Sequence, residues 1–372
     1  MPIIFIFIFF NLGLLFVITL FNFLTAPMLR KSYPINSKPA VSILIPARNE
    51  ARTISNCLDN LLNQDYPLHE IIVLNDHSED STQHILDGYS KKHPHIHCLH
   101  GLGLPSGWTG KNWACQQLAK VATGDILIFT DADTKIASHA VRHTIGWMQQ
   151  FRLDMLSTFP QQIMLTLIEK LVVPVMDLFV YTTLPLWATY WSRRPSLAAA
   201  NGQWIAFTRT AYNTLGGHES VKQQIVEDTE LARMAKRNGL KTITTAGTGT
   251  VFCRMYENFP DVWFGFTKNF FGLTGYNSFL FWIIEICLWL AFIVPYGLLL
   301  HPGLRPFALI AVGANMLIRL MLSLKYRHPL TTSVVLHPFG ILIATFIGLN
   351  SFRSYLKGEI TWKNRTILFP KS

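Results

Sequence analysis

DILIFTDADT, residues 125–134, is the stretch from which the fold of this chain is read. Its apolar run is short, rich in β-branched residues, and ends in a polar cluster. VSILIPA (41–47) and EIIVLND (70–76) have the same form. Longer patterns at 50–64, 79–92 and 111–122 lie between these runs. Strands alternating with helices predict a parallel α/β sheet with crossover connections. In such a sheet ligands bind outside the carboxyl ends of the strands, where the polar clusters fall.

Working outward, the composition changes character. Of 372 residues, 50 % are hydrophobic, 13 % aromatic and 15 % charged, against about 25 % charged in an average soluble protein. Residues 3–26 are apolar with no preceding basic residue. As a helix they would run about 36 Å, enough for a hydrocarbon core of about 30 Å. They read as a retained anchor (1–28) rather than a cleaved signal. Arg30, Lys31 and Lys38 follow it and place the next domain in the cytoplasm.

Beyond about residue 277 the chain becomes apolar again. Phe279–Leu300 and Pro306–Leu324 are long enough to span. Val334–Asn350 is shorter, with His337-Pro338 reading as an interruption. Lys325 and Arg327, and a tail at 351–372 with Arg353, Lys357, Lys363, Arg365 and Lys371, carry the positive charge of a cytoplasmic face. Both are cytoplasmic if the third segment re-enters instead of crossing. The expected divisions are an anchor (1–28), a catalytic domain (40–255), an amphipathic interfacial connector (256–276), membrane segments (277–350) and a basic tail. Within the domain, 162–192 reads as a segment lying on the membrane, with a buried helix pair as the alternative.

The net charge of +10 fits an anionic membrane surface or a phosphorylated substrate. There is no basic run with interleaved aromatics on a soluble stretch, which argues against nucleic acid. Cys57, Cys98, Cys115, Cys253 and Cys287 are odd in number and lack a CxxC pair, which fits a reducing compartment.

Several clusters carry chemistry. Asp131 and Asp133, at i and i+2 where a strand ends, can share a hard divalent cation, Mg2+ or Mn2+. Asp76, in LNDHS after EIIVL, can accept from a ribose hydroxyl or a base N–H, while Ser78 before an acidic turn also suits a helix start. Pro46 ends a strand, and Arg48 beside Glu50 is a fixed cation suited to phosphate or a carboxylate. GWTGKN (107–112) fails as a P-loop, because Pro105 holds the first Gly position and Asn112 replaces Ser or Thr. It still sets Lys111 at a helix start, where a diphosphate is favoured. Glu227 and Asp228 begin an amphipathic helix and offer a general base or, equally, a favourable first turn. His93, His95, His97 and His100 with Cys98 resemble a metal box, but Pro94 intrudes and no second cluster of zinc-like spacing follows.

In order, IPARNE, LNDHSEDS, GWTGKNWA, FTDADT and VEDTEL resemble the family 2 inverting glycosyltransferases over about residues 40–240. GWTGKNWA, NGQWIAFTR, LGGHES, RMYENFPDVWFGFTKN and the terminal ITWKNR are similar to its bacterial carotenoid and hopanoid branch. The resemblance implies a GT-A fold, a Rossmann-like mixed sheet that binds a nucleotide sugar, here with N- and C-terminal transmembrane helices. It implies Asp76 at uridine, Asp131 and Asp133 on a metal diphosphate, Asp228 with Glu227 as the catalytic pair, and Lys111 facing the diphosphate. Gly202, Gln203 and Trp204 fall to the acceptor side. Arg254 and Lys268 become candidates for the leaving diphosphate. FCRMYENF lacks the Gln-x-x-Arg-Trp box of polymerising members, which favours single-sugar transfer.

The implied reaction moves glucose from UDP-glucose to a carotenoid or other isoprenoid in the cell membrane. Alternatives are a polyprenyl phosphate, diacylglycerol or sphingolipid acceptor, or a short polysaccharide product. A scaffold or transporter with a degenerate domain is the non-enzymatic rival. Glu285 and Arg319 are the charged residues inside the expected spans.

Overall fold

The computed structural model describes residues 3–362 and 365–368. It divides into two units: residues 27–163 with 186–255, and residues 1–26 with 164–185 and 256–372.

The first unit holds ten strands: β1 (Val41–Ala47), β2 (Glu70–Asn75), β3 (Ile96–His100), β4 (Ile126–Thr130), β5 (Thr134–Ile136), β6 (Met155–Phe159), β7 (Gln161–Gln162), β8 (Trp204–Thr208), β9 (Thr242–Ala246) and β10 (Val251–Cys253). Seven form one sheet in the order β3-β2-β1-β4-β8-β6-β9. The first four are parallel neighbours, as the alternation predicts. β8 is not: it runs antiparallel to both β4 and β6, so the sheet is mixed and not wholly parallel. Because β8 runs against β4, its first residue pairs with the last of β4, Trp204 with Thr130. That reversal brings residues 202–204 to the place where Asp131 leaves the sheet.

The apolar runs are continuous because helices cover both faces. Ile43, Ile126, Ile128, Trp204 and Ala206 pack on one side with Cys57, Leu58 and Ile145. Leu44, Leu127, Phe129, Ile205 and Phe207 pack on the other with Ala114, Leu118, Leu231 and Ala235. Helices Ile54–Leu62, Thr82–Lys92 and Gly110–Val121 stand at the three expected places. β5, β10 and β7 form a smaller sheet in which Cys253 faces Thr134.

Among the described residues of the second unit four helices are long and apolar enough to cross a membrane: Ile3–Thr25, Ser278–Leu298, Arg305–Tyr326 and His337–Lys357. The last corrects an expectation. His337-Pro338 does not interrupt it but forms its first turn, where proline's missing N–H costs nothing. Arg353 and Lys357, expected in the tail, belong to its final turns; Lys363 and Lys371 lie outside the described residues. The ambiguous segment 162–192 contains two helices, Leu167–Thr183 and Ala188–Trp191. Residues 164–185 group with the apolar helices and 186–192 with the sheet. Asn22 and Asp177, buried inside the apolar unit, are paired: Asn22 donates to the carbonyls of Tyr181 and Leu184, and Asp177 meets His328 Nε2 at 2.7 Å.

Candidate active site

A pocket at the carboxyl end of β4 is lined by Pro46, Lys111, Cys115, Asp131, Gly202, His218, Glu227 and Asp228 over a floor of Phe129, Ile205 and Leu231. Each polar residue arrives for a local reason. Asp131 follows the fully buried strand ILIFT. Lys111 sits in the first turn of the helix Gly110–Val121, whose start is capped by Thr109 Oγ1 accepting from the Asn112 N–H. Glu227 and Asp228 open the helix Glu227–Arg237, where the positive end of the dipole favours carboxylates.

Lys111 is the hub. Its Nζ lies 2.9 Å from Asp131 Oδ1 and 3.3 Å from Glu227 Oε1. Burial works against the charged ammonium, yet Asp131 and Glu227 hold its pKa well above the ordinary lysine value. Asp228 Oδ2 accepts the Gly202 N–H at 2.8 Å, and its Oδ1 accepts the Thr229 N–H at 2.6 Å. Burial and then neighbouring Glu227 push its pKa up from 3.8 to about 6, against the opposing pull of Lys111 and the two N–H groups.

Gly202 is needed for space. A Cβ there would stand 3.1 Å from Lys111 Nζ, 3.5 Å from Glu227 Oε1 and 3.6 Å from Asp228 Oδ2. Asn112, which disqualifies the P-loop reading, serves the architecture instead. Its fully buried amide donates to the carbonyls of Val221 (2.7 Å) and Gln224 (3.0 Å). This ties the lysine-bearing helix to the segment that leads into Glu227.

Other expected residues are placed around this centre. Asp76 is buried after β2, and its N–H donates to the Ala47 carbonyl. Arg48 Nη1 donates to the Asp76 carbonyl at 2.9 Å, and Glu50 accepts from Thr53 Oγ1 at 2.8 Å. Asn49 and His77 take positive φ, which turns both loops sharply at the strand ends. Asp133 hydrogen-bonds the Cys253 thiol, whose pKa is raised by burial and then by Asp133 and Asp131. Arg254 follows β10, whereas Lys268 lies on the helix Phe259–Leu273 of the other unit.

Trp204 is a correction. It is 0 % exposed, with its indole N–H donating to Thr144 Oγ1 at 3.0 Å. The two-residue period of β8 turns Trp204 into the far core and Ile205 toward the pocket. A buried, hydrogen-bonded indole has no face to offer an acceptor.

Sequence reasoning missed His218 and Cys115. Cys115 lies one helical turn after Lys111, a spacing legible in GKNWAC. His218 meets Tyr212 Oη at 2.7 Å through Nδ1. Burial, and then Lys111, lower its pKa to about 3, so it is neutral. Its signal was the LGGHES segment, where Gly216 and Gly217 both take positive φ.

The donor set suits a hard cation. Asp131 already carries one in the form of the Lys111 ammonium, and Asp131 and Asp133 offer oxygen ligands two residues apart. Among the described residues no three His, Cys, Asp or Glu side chains form a ready cage. Mg2+-type sites need none, since one or two carboxylates together with substrate phosphates suffice.

Residues 42–164 match the family model described as glycosyl transferase family 2. That stretch is a family 2 glycosyltransferase domain. A 4,4'-diaponeurosporenoate glycosyltransferase of Staphylococcus haemolyticus is 29 % identical over 233 residues, 62 % of this chain and 60 % of that protein. Its Staphylococcus aureus (strain MRSA252) counterpart is 27 % identical over 348 residues, 90 % of each chain. A beta-monoglucosyldiacylglycerol synthase of Trichormus variabilis is 34 % identical over 116 residues, 31 % of this chain and 24 % of the synthase. This chain therefore spans less than two thirds of the first and about a quarter of the last. A mannosyltransferase from Pyrobaculum calidifontis, solved with GDP-mannose and Mn2+, aligns over 93 % of this chain and 99 % of its own. Its TM-score is 0.53 at 18 % identity, a likeness of fold. The chain thus has the GT-A architecture, a mixed sheet with its polar cluster at the strand ends.

Proposed function

We propose that this family 2 glycosyltransferase moves a single sugar, glucose, from UDP-glucose to an isoprenoid lipid in the cell membrane, inverting the anomeric carbon. The observation that carries the reading is the meeting of Lys111, Asp131, Glu227 and Asp228 in one pocket beside the bare backbone of Gly202. A carboxyl near pKa 6 is suited to taking a proton at neutral pH.

In the reaction, the acceptor oxygen forms a bond to the anomeric carbon as the bond from that carbon to the diphosphate breaks. Asp228 takes the acceptor proton, and Gly202 and Gln203 line the approach. Lys111 sets positive charge where the diphosphate leaves, and Glu227 holds Lys111 in position. Pro46, Arg48, Glu50 and Asp76, at the ends of β1 and β2, receive the nucleotide. Arg254 and Lys268 are assigned to the diphosphate on resemblance alone. Asp131 and Asp133 would hold Mg2+ or Mn2+, which when bound neutralises charge on the leaving group.

An isoprenoid acceptor is supported by the names of the relatives matched over most of this chain. Diacylglycerol is the second reading, favoured by the 34 % identity of the shorter match. Arg30 and Lys31 after the first helix and Lys325 and Arg327 at the end of the third support a multi-pass protein with a cytoplasmic catalytic unit. A screen of radiolabelled nucleotide sugars tests the whole reading, using membranes that hold the protein, isoprenoid or diacylglycerol acceptors, and either cation or EDTA. Label from UDP-glucose should enter the organic phase only with cation and isoprenoid. No organic-phase label from any donor would sink it.

A further inference from the structure

The apolar unit has a partly open cavity among the helices Leu167–Thr183, Phe259–Leu273, Ser278–Phe292 and His337–Lys357. Its walls are apolar, with Val175, Phe179, Phe281, Leu288 and Ile341 among them. One carboxyl interrupts them, that of Glu285, only 8 % exposed.

A directed hydrogen-bond chain ends on this carboxyl. The Trp289 indole N–H, which can only donate, bonds Thr345 Oγ1 at 3.1 Å. The Thr345 hydroxyl must then use its own proton, and it donates to Glu285 Oε2 at 3.0 Å. Glu285 Oε1 has no hydrogen-bond partner among the described residues. It lies against Gly348, where a Cβ would come within 2.9 Å of it, so the absence of a side chain there keeps this oxygen's place open. An ionisable group on an apolar spanning helix is costly and marks a function by default.

We propose that this cavity binds a long-chain lipid alcohol, with its hydrocarbon against the apolar walls and its hydroxyl on Glu285 Oε1. A hydroxyl suits either state of the carboxyl, donating to the anion or accepting from the acid. A pure hydrocarbon leaves Oε1 unpaired, and an amine brings a second charge into apolar surroundings. The inference goes beyond the transfer reading and is independent of it, since binding needs no nucleotide sugar.

The test is equilibrium binding of tritiated farnesol to the full chain in nanodiscs, with competition by the hydrocarbon of equal length that lacks the hydroxyl. Wild type should bind farnesol saturably and prefer it to the hydrocarbon by about 10-fold. Glu285→Gln, which keeps an acceptor and the shape, should hold that preference, and Glu285→Leu should erase it. Leu288→Trp, which narrows the cavity away from the carboxyl, should weaken farnesol binding by about 10-fold. Absent saturable binding, equal competition by the hydrocarbon, a preference that survives Glu285→Leu, or full binding in Leu288→Trp would each overturn the proposal.

Discussion

The backbone N–H of Gly202 donates to Asp228 Oδ2 at 2.8 Å. The contact joins the residue pair that leads into β8 to the first turn of a helix 26 residues further on. Asp228 is thereby oriented by a backbone group that no side-chain substitution removes, while its environment sets its acidity. Replacing Gly202 by Ala would put a Cβ 3.1 Å from the flexible tip of Lys111. We expect the protein to fold with an unchanged unfolding midpoint and lose roughly 10-fold or more in turnover, since a small misplacement costs up to about 100-fold. Unaltered turnover in Gly202→Ala would remove the spacing argument.

Asp228 must be deprotonated to act as a base, and its pKa is pushed up to about 6. Accordingly kcat/KM should rise with pH and level off above about 6, falling tenfold per unit below it. Asp228→Asn should lose about 10²–10⁴ in rate and the acid limb with it. The stability sign is opposite. The folded state holds this proton more tightly than an ordinary carboxyl at 3.8, so raising pH from 3.8 to about 6 costs stability through this group. At a pH of about 7.5 the Asn variant should therefore unfold no earlier than wild type.

Lys111 pulls the Asp228 pKa down while Glu227 pushes it up. In Lys111→Met the opposing pull is gone, so the acid limb of kcat/KM should move to higher pH, in addition to a lower plateau. A purely diphosphate-binding lysine would change donor KM and leave the limb where it was. Initial rates across about pH 5–9, a range that spans the limb, separate the two.

Asn112 makes two buried hydrogen bonds to the loop before Glu227. Asn112→Ala strands two carbonyls and should cost about 1–3 kcal/mol per unsatisfied buried group. Denaturant unfolding of the detergent-solubilised chain reads this directly. A variant as stable as wild type would show that the tie is not structural.

Much of the sheet was legible because strand, burial and the polar residue after each strand are properties of contiguous residues. ILIFT followed by Asp131, and EIIVL followed by Asn75 and Asp76, announce a buried strand and a carboxyl-end cluster without any partner in view. The same holds for Lys111 at a helix start and Glu227-Asp228 in a first turn, where local caps and dipoles act. Long apolar runs likewise announce the helices that can cross a membrane, although a Pro at a helix start was indistinguishable from one inside.

Tertiary structure alone decided the rest. Nothing near Trp204 says that β8 runs against β4, yet that reversal sets which neighbour Gly202 meets and turns Trp204 inward. His218 belongs to the pocket because a segment distant in sequence folds over Phe129, and Asn112 matters through carbonyls more than a hundred residues away. Local pattern is written by nearest neighbours along the chain. Strand order and pocket membership are settled by long-range packing, where many apolar partners are interchangeable and the one that wins leaves no mark on the segment it chooses.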